Sequence, residues 1–242
     1  MVNFIKQLLF LLGYIFHHNH NSKIIYYHDC GKEYSWMGTP MDLLKRHFEI
    51  VRESHYEFVP EINKHEGQVM VCFDDGWAGI YDHKDFFVSQ NIYPTVFIAV
   101  DLIGSKKHLT VEQIMELYKL GFRFEAHTWS HKSLDTFNYE ELVHELKDSK
   151  EELERIFHQP FNAICYPQGH FTHKVHDLCQ KIGYKKQYSS INGAYDDLED
   201  KGIICRNCNQ YSSPREFKWM LNGTSHIFRQ RLLKLHLRPS RF

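Results

Sequence analysis

"VCFDDGW", Val71–Trp77, sets two adjacent carboxylates, Asp74 and Asp75, at the end of an apolar run and closes them with a glycine. A short apolar run bounded by a turn signal reads as a buried strand, so both acids fall where that strand ends. Successive residues of an extended strand point in opposite directions, but at a strand end that turns on Gly76 both can face one cavity. The plainer alternative is an Asp-Gly turn whose acids cap a loop.

Similar runs recur along the chain. "KIIYYH" (23–28), "QVMVCF" (68–73), "TVFIAV" (95–100), "FRFEAH" (122–127), "FNAICY" (161–166) and "GIICR" (202–206) read as strands, with "KKQYSS" (185–190) as a weaker seventh. Helical patterns lie between them. "TVEQIMELYKLG" has Thr110 as N-cap, Gln113 three residues on and Gly121 at its stop. "NYEELVHELKDSKEELERIF" places Leu142, Leu146, Ser149, Leu153 and Ile156 on one stripe, with Pro160 beyond its end. "HKVHDLCQKIG" ends in Gly183. Strands alternating with helices predict a parallel sheet, and six or seven such units in one domain predict a barrel, incomplete, over an open doubly wound sheet.

The chain has 242 residues, 43% hydrophobic and 24% charged, with a formal charge of −1. That is globular composition with no general pull toward nucleic acid. Six cysteines without framework spacing favour a reducing compartment and a cytoplasmic protein. The one CxxC, "CRNC" (205–208), lacks the second pair of a zinc knuckle. The opening "MVNFIKQLLFLLGYIF" is too short to span a bilayer and lacks a cleavage site, which suggests an interfacial or core-packed helix. The final "FRQRLLKLHLRPSRF" carries five basic residues and no acid. It reads as a solvated helix or as a segment docking on an anionic membrane surface, which would make the protein peripheral at the inner face.

In parallel barrels the ligand site forms where strands end at their carboxyl side. Three strand ends stand out: His28, the Asp74–Asp75 pair, and His127, which opens "HTWSH". His127 and His131 are spaced to share a face on a helical turn. Two imidazoles plus one carboxylate from another strand end make a three-donor metal site with an open position. One acid of the pair would then bind the metal, and the other would take a proton from an attacking water.

Together these segments resemble the polysaccharide deacetylases, the nodulation-type homology family of metal-dependent carbohydrate esterases. The family's first motif, (T/S)FDDG, appears as "CFDDG" (72–76) and its second, H(S/T)xxH, as "HTWSH" (127–131), followed by Ser133 and Leu134. "CYPQG" (165–169) corresponds to the third, and the likeness runs from about Lys23 to Gly223. The resemblance implies an incomplete (β/α) barrel of seven strands over residues 22–223, flanked by an apolar segment (1–21) and a basic tail (224–242). It implies Asp74 as general base and Asp75, His127 and His131 as ligands of a divalent metal. Zinc suits that donor set first, and cobalt or nickel fit the same ligands.

Two departures from the family pattern bear on mechanism. Cys165 stands where most members have an arginine that orients the base, and Arg206 is the candidate to replace that charge. The late LxxH strand is missing, and "IIYYHD" carries the pattern at the start instead, as in the permuted branch resembling poly-N-acetylglucosamine deacetylases. His28 is therefore expected to be the general acid. The implied reaction is hydrolysis of N-acetyl groups on an amino-sugar glycan, with the Tyr166 backbone N–H at the oxyanion and Trp77 and Trp129 either stacking on sugar or packing in the core. An O-acetyl esterase, a non-catalytic glycan-binding relative and a non-sugar amidase are the alternatives.

Overall fold

The computed structural model describes residues 18–31, 36–224 and 229–237. Its main sheet follows the alternating pattern. The strands are β1 (Lys23–Tyr27), β2 (Gln68–Phe73), β3 (Thr95–Ile98), β4 (Arg123–Ala126), β5 (Ala163–Cys165), β6 (Lys186–Tyr188) and β7 (Asn207–Cys208). They run in the order β7-β1-β2-β3-β4-β5-β6, all parallel, and a short strand Glu57–Phe58 pairs with the start of β2. This is the incomplete seven-stranded (β/α) barrel expected from the sequence.

The period of two along each strand divides the core into two layers. Ile24, Tyr26, Met70, Cys72, Phe97, Ala163, Cys165 and Tyr188 pack together as an inner cluster. Ile25, Tyr27, Val69, Val71, Phe73, Val96 and Ile98 belong to the larger cluster shared with the helices. By this alternation Asp74 follows Cys72 inward and His28 follows Tyr26. Because Tyr27 is in register with Phe73, His28 and Asp74 leave the sheet side by side, with Asp74 N–H donating to Tyr27 O at 2.9 Å.

The predicted strand at 202–206 is displaced. Ile204 makes an isolated bridge to Tyr188, and the strand proper is Asn207–Cys208 beside β1. Between them Cys205 N and Arg206 N donate to Tyr195 O and Ile191 O, so the preceding loop takes the hydrogen bonds a strand would have offered. The stretch Ile204–Cys208 thus spans from β6 to β1 and carries Arg206 across the gap.

The helices keep their sequence punctuation. Val111–Lys119 starts on a capping box formed by Thr110 and Gln113. The stripe at 142–153 is buried at Leu142, Leu146, Ser149 and Leu153, but its helix is interrupted by a π turn, His144–Asp148. The 1–16 segment lies outside the described residues. Of the basic tail, Arg229–His236 is helical, and Leu237 pairs with Phe171 just after the "CYPQG" turn. Among the described residues no helix is long and apolar enough to cross a membrane.

Gly79 marks a close approach: a Cβ there would lie 2.2 Å from both Asp29 Oδ1 and Cys30 O, beside His28. Gly79→Ala is expected to lose about 1–3 kcal/mol through overpacking, read as a lower urea midpoint. Glu125, on β4, has its carboxyl pushed up to about 7 by burial, against the opposing pull of the Ala163 N–H and nearby cations. The folded state then holds this proton longer than the unfolded chain does, so stability from this residue is full below the ordinary carboxyl range and falls as pH rises toward about 7. Glu125→Gln should remove that fall, gaining roughly 2–3 kcal/mol over wild type at pH 8 relative to pH 4 in urea titrations.

Candidate active site

Asp74 is 3% exposed and meets Arg206, which is fully buried. The pair is bidentate: Arg206 Nη1 donates to Oδ1 at 2.7 Å and Nη2 to Oδ2 at 2.8 Å. Arg206 Nε donates to Ser189 O, and the guanidinium lies over the rings of Tyr26 and Phe97 at 4.2 and 5.0 Å. Nη2 also reaches Cys165 Sγ at 2.8 Å, so the thiol packs against the cation. Burial alone would raise the Asp74 carboxyl; the guanidinium outweighs it and the carboxyl titrates below its ordinary value.

Asp75 would point away from Asp74 on a continuing strand. Its φ of 71°, followed by 76° at Gly76, turns the chain through the left-handed region and brings the carboxylate back to the strand ends. There Asp75 Oδ1 lies 2.9 Å from His131 Nε2 and 3.4 Å from His127 Nε2, while Oδ2 accepts from Trp77 Nε1 at 3.2 Å. His127 directly follows β4 and is buried; His131 sits on the loop beyond and is 27% exposed at its side chain.

The ring of His127 is fixed by its other nitrogen. Nδ1 lies 2.7 Å from Cys165 O, an acceptor, so Nδ1 carries the hydrogen and a neutral ring turns its Nε2 lone pair toward Asp75. Asp75 Oδ1 is buried with no well-aligned hydrogen-bond donor. Lone pair against carboxylate is unfavourable unless positive charge lies between them. The same demand appears in titration: burial lowers His131, but Asp75 more than offsets it and the imidazole is raised, while the two rings hold Asp75 well below its ordinary value despite burial. Donor separations of 2.9 and 3.4 Å bracket the about 3.3 Å that tetrahedral coordination at zinc distances requires. The residues therefore fit a divalent cation. A second grouping, Asp74, His127 and Cys165, is close enough on distance, but Arg206 already lies on Asp74 and Cys165 and leaves no place for another cation.

His28 is half-buried, and its Nδ1 bonds Gln210 Oε1, an acceptor, which leaves Nε2 as the position that can exchange a proton. Gln210 carries no sequence signal of this role. The Tyr166 expectation does not hold as stated. Its N–H donates to Tyr188 O at 3.1 Å, which commits it to the β5–β6 pairing and removes it as an oxyanion donor. The ring is buried against Phe171, 4.7 Å between centroids. Trp77 serves the Asp75 carboxylate and lies on His108, while Trp129 lies against His144 at 4.7 Å and is half-buried.

A parallel half-barrel that gathers an acid pair and two histidines at its strand ends has the donor set and the buried carboxylate of a metal-assisted hydrolase class. Residues 61–186, just over half of the chain, match the polysaccharide deacetylase family model, and the chain belongs to that family, whose members are hydrolases. YxkH of Bacillus subtilis (strain 168), assigned to the polysaccharide deacetylases, is 32% identical over 127 residues, 52% of this chain and 46% of its own length. The chain thus spans about half of that relative. The Streptococcus pyogenes deacetylase PplD, solved with acetate, has a TM-score of 0.72 at 21% identity, covering 83% of this chain and 98% of PplD. IcaB from Ammonifex degensii has 0.71 at 15%, covering 86% and 98%. These two likenesses concern the fold.

Arg206→Met should leave Asp74 buried without its counterion, a loss of about 3–5 kcal/mol in urea at pH 7. Adding Asp74→Asn to that variant should restore most of the loss, because the unpaired charge is gone; an additive double variant would mean the pair is not coupled.

Proposed function

We propose that the chain hydrolyses N-acetyl groups on an amino-sugar glycan, either a polysaccharide or a lipid-linked one, releasing acetate and a free amine. The observation that carries this reading is the division of labour at one set of strand ends. Asp74 is kept ionised by Arg206, Asp75 is turned toward two imidazoles, and His28 leaves the neighbouring strand beside Asp74.

Asp75, His127 and His131 would hold the cation, with zinc first and cobalt or nickel as substitutes. When bound, it supplies Lewis acidity that polarises the acetyl carbonyl. Asp74 accepts the proton of the attacking water as its oxygen bonds to the acetyl carbon. Arg206 holds both carboxylate oxygens in place while this happens. His28, its Nδ1 fixed by Gln210, gives a proton from Nε2 to the departing nitrogen as the carbon–nitrogen bond breaks. An amine leaves poorly without that proton, which is the use of an acid on the strand beside the base. Trp77 is occupied with Asp75, so Trp129 is the indole left to border the sugar. The apolar 1–16 run and the basic C-terminal segment support a substrate held at a membrane, worked on from the cytoplasmic face.

Acetate release from N-acetylglucosamine oligomers with zinc restored should fall at least about 100-fold in Asp74→Asn and His131→Ala. Full activity in either variant would overturn the assignment. Parallel assays on O-acetylated xylan separate the rival ester chemistry, since release from xylan alone would make the protein an esterase.

A further inference from the structure

Asp75 and His127 sit at strand ends, where the sheet fixes them. His131 is different: it lies on a loop five residues past the end of β4, and nothing in the sheet holds it. Its backbone has φ of 60°, and Thr128, at the start of the same turn, has φ of 69°. Non-glycine residues in the left-handed region cost on the order of 1 kcal/mol each, so something must hold this turn in shape.

Part of the answer lies within the loop and β3's exit: His131 N donates to Thr128 Oγ1, and Val100 N and Asp101 N donate to Thr128 O and Trp129 O. The remaining donors converge on one side chain from a distant helix. Glu145 is 3% exposed, and its Oε2 accepts from Trp129 N at 3.1 Å and Ser130 N at 2.9 Å. Its Oε1 accepts from Ser130 Oγ at 2.5 Å. Two successive backbone N–H groups facing one way form an anion-binding concavity, and here the anion is built into the protein. Glu145 lies in the π turn His144–Asp148, which re-aims the helix where it passes the loop; Ser149 Oγ bonds the Glu145 carbonyl and steadies that turn.

We propose that Glu145 is a positioning residue for the metal-ligand cluster: its carboxylate fastens the Thr128–His131 turn so that His131 stays within reach of Asp75 and His127. The proposal rests on the reading of Asp75, His127 and His131 as the donor set. A carboxylate is suited to this place and a neutral group is not. It accepts all three hydrogens at once, whereas an amide keeps one acceptor oxygen and turns an NH2 toward donors. Removing the side chain leaves two half-buried N–H groups without their acceptor and frees the turn to relax to ordinary φ values, carrying His131 away.

The test is zinc affinity, measured by competition with a chromophoric chelator well below the melting temperature of every variant. Glu145→Ala and Glu145→Gln should each weaken zinc binding about 10- to 100-fold, Gln less than Ala. Leu153→Ala, a buried apolar truncation further along the same helical run, should lower the melting temperature yet bind zinc as wild type does. Should Glu145→Ala fail to fold, Glu145→Gln keeps the volume and carries the measurement. Wild-type zinc affinity in a folded Glu145 variant, or an equal loss in Leu153→Ala, would overturn the positioning role. A wild-type chain that binds no zinc would overturn the donor set itself, and this proposal with it.

Discussion

The ion pair between Asp74 and Arg206 is the interaction on which the centre of the barrel depends. A guanidinium and a carboxylate taken fully out of water are costly, and the cost is offset only when every polar hydrogen and lone pair finds a partner. Here most of it is met: Asp74 takes two donors of Arg206, Ser189 O and Cys165 Sγ take one each, and the rings of Tyr26 and Phe97 lie against the guanidinium. The inner cluster of the sheet is therefore an apolar box around one salt bridge. Arg206 keeps the carboxylate ionised inside that box, against the pull of burial toward the protonated form.

Around the pair, unusual backbone collects where the donor set is assembled. Asp75, Thr128 and His131 all have positive φ, and none is glycine. Regular strands would have sent Asp75 outward and left the two histidines without a shared neighbour. The sheet supplies rigid ends, and the left-handed residues re-aim the side chains across them. His127 needs no such turn, because Cys165 O fixes its ring from the next strand.

Much of this was legible in the sequence, for identifiable reasons. Apolar runs ending in Asp74, His28 and His127 announced both the strands and the polar residues at their ends, and the alternation of strand and helix announced the barrel. Local signals also held for the helix at Val111–Lys119, whose cap is written in neighbouring residues. What could not be read were the long-range commitments of backbone groups. The Tyr166 N–H is taken by Tyr188 through a strand pairing whose register no local pattern specifies. The strand expected at 202–206 moved because a loop claimed its hydrogen bonds. Glu145 was visible only as an acid at the edge of a buried stripe, three residues after Leu142 and four before Ser149. A π turn changes which way such a residue points and has no sequence signature.

Arg206 lies 132 residues after Asp74 and on the stretch that spans from β6 to β1. Until that stretch is seated, the interior of the half-barrel holds a desolvated carboxylate with no counterion, a state that partly assembled forms of the sheet must avoid by protonation or by admitting water. Docking of that stretch therefore does two things in one event: it bridges β6 to β1 and it gives the buried Asp74 carboxylate its counterion. The charge state of Asp74 is thereby tied to the completeness of assembly, and forms short of that stretch are penalised electrostatically as well as by lost packing, which sharpens the cooperativity of folding.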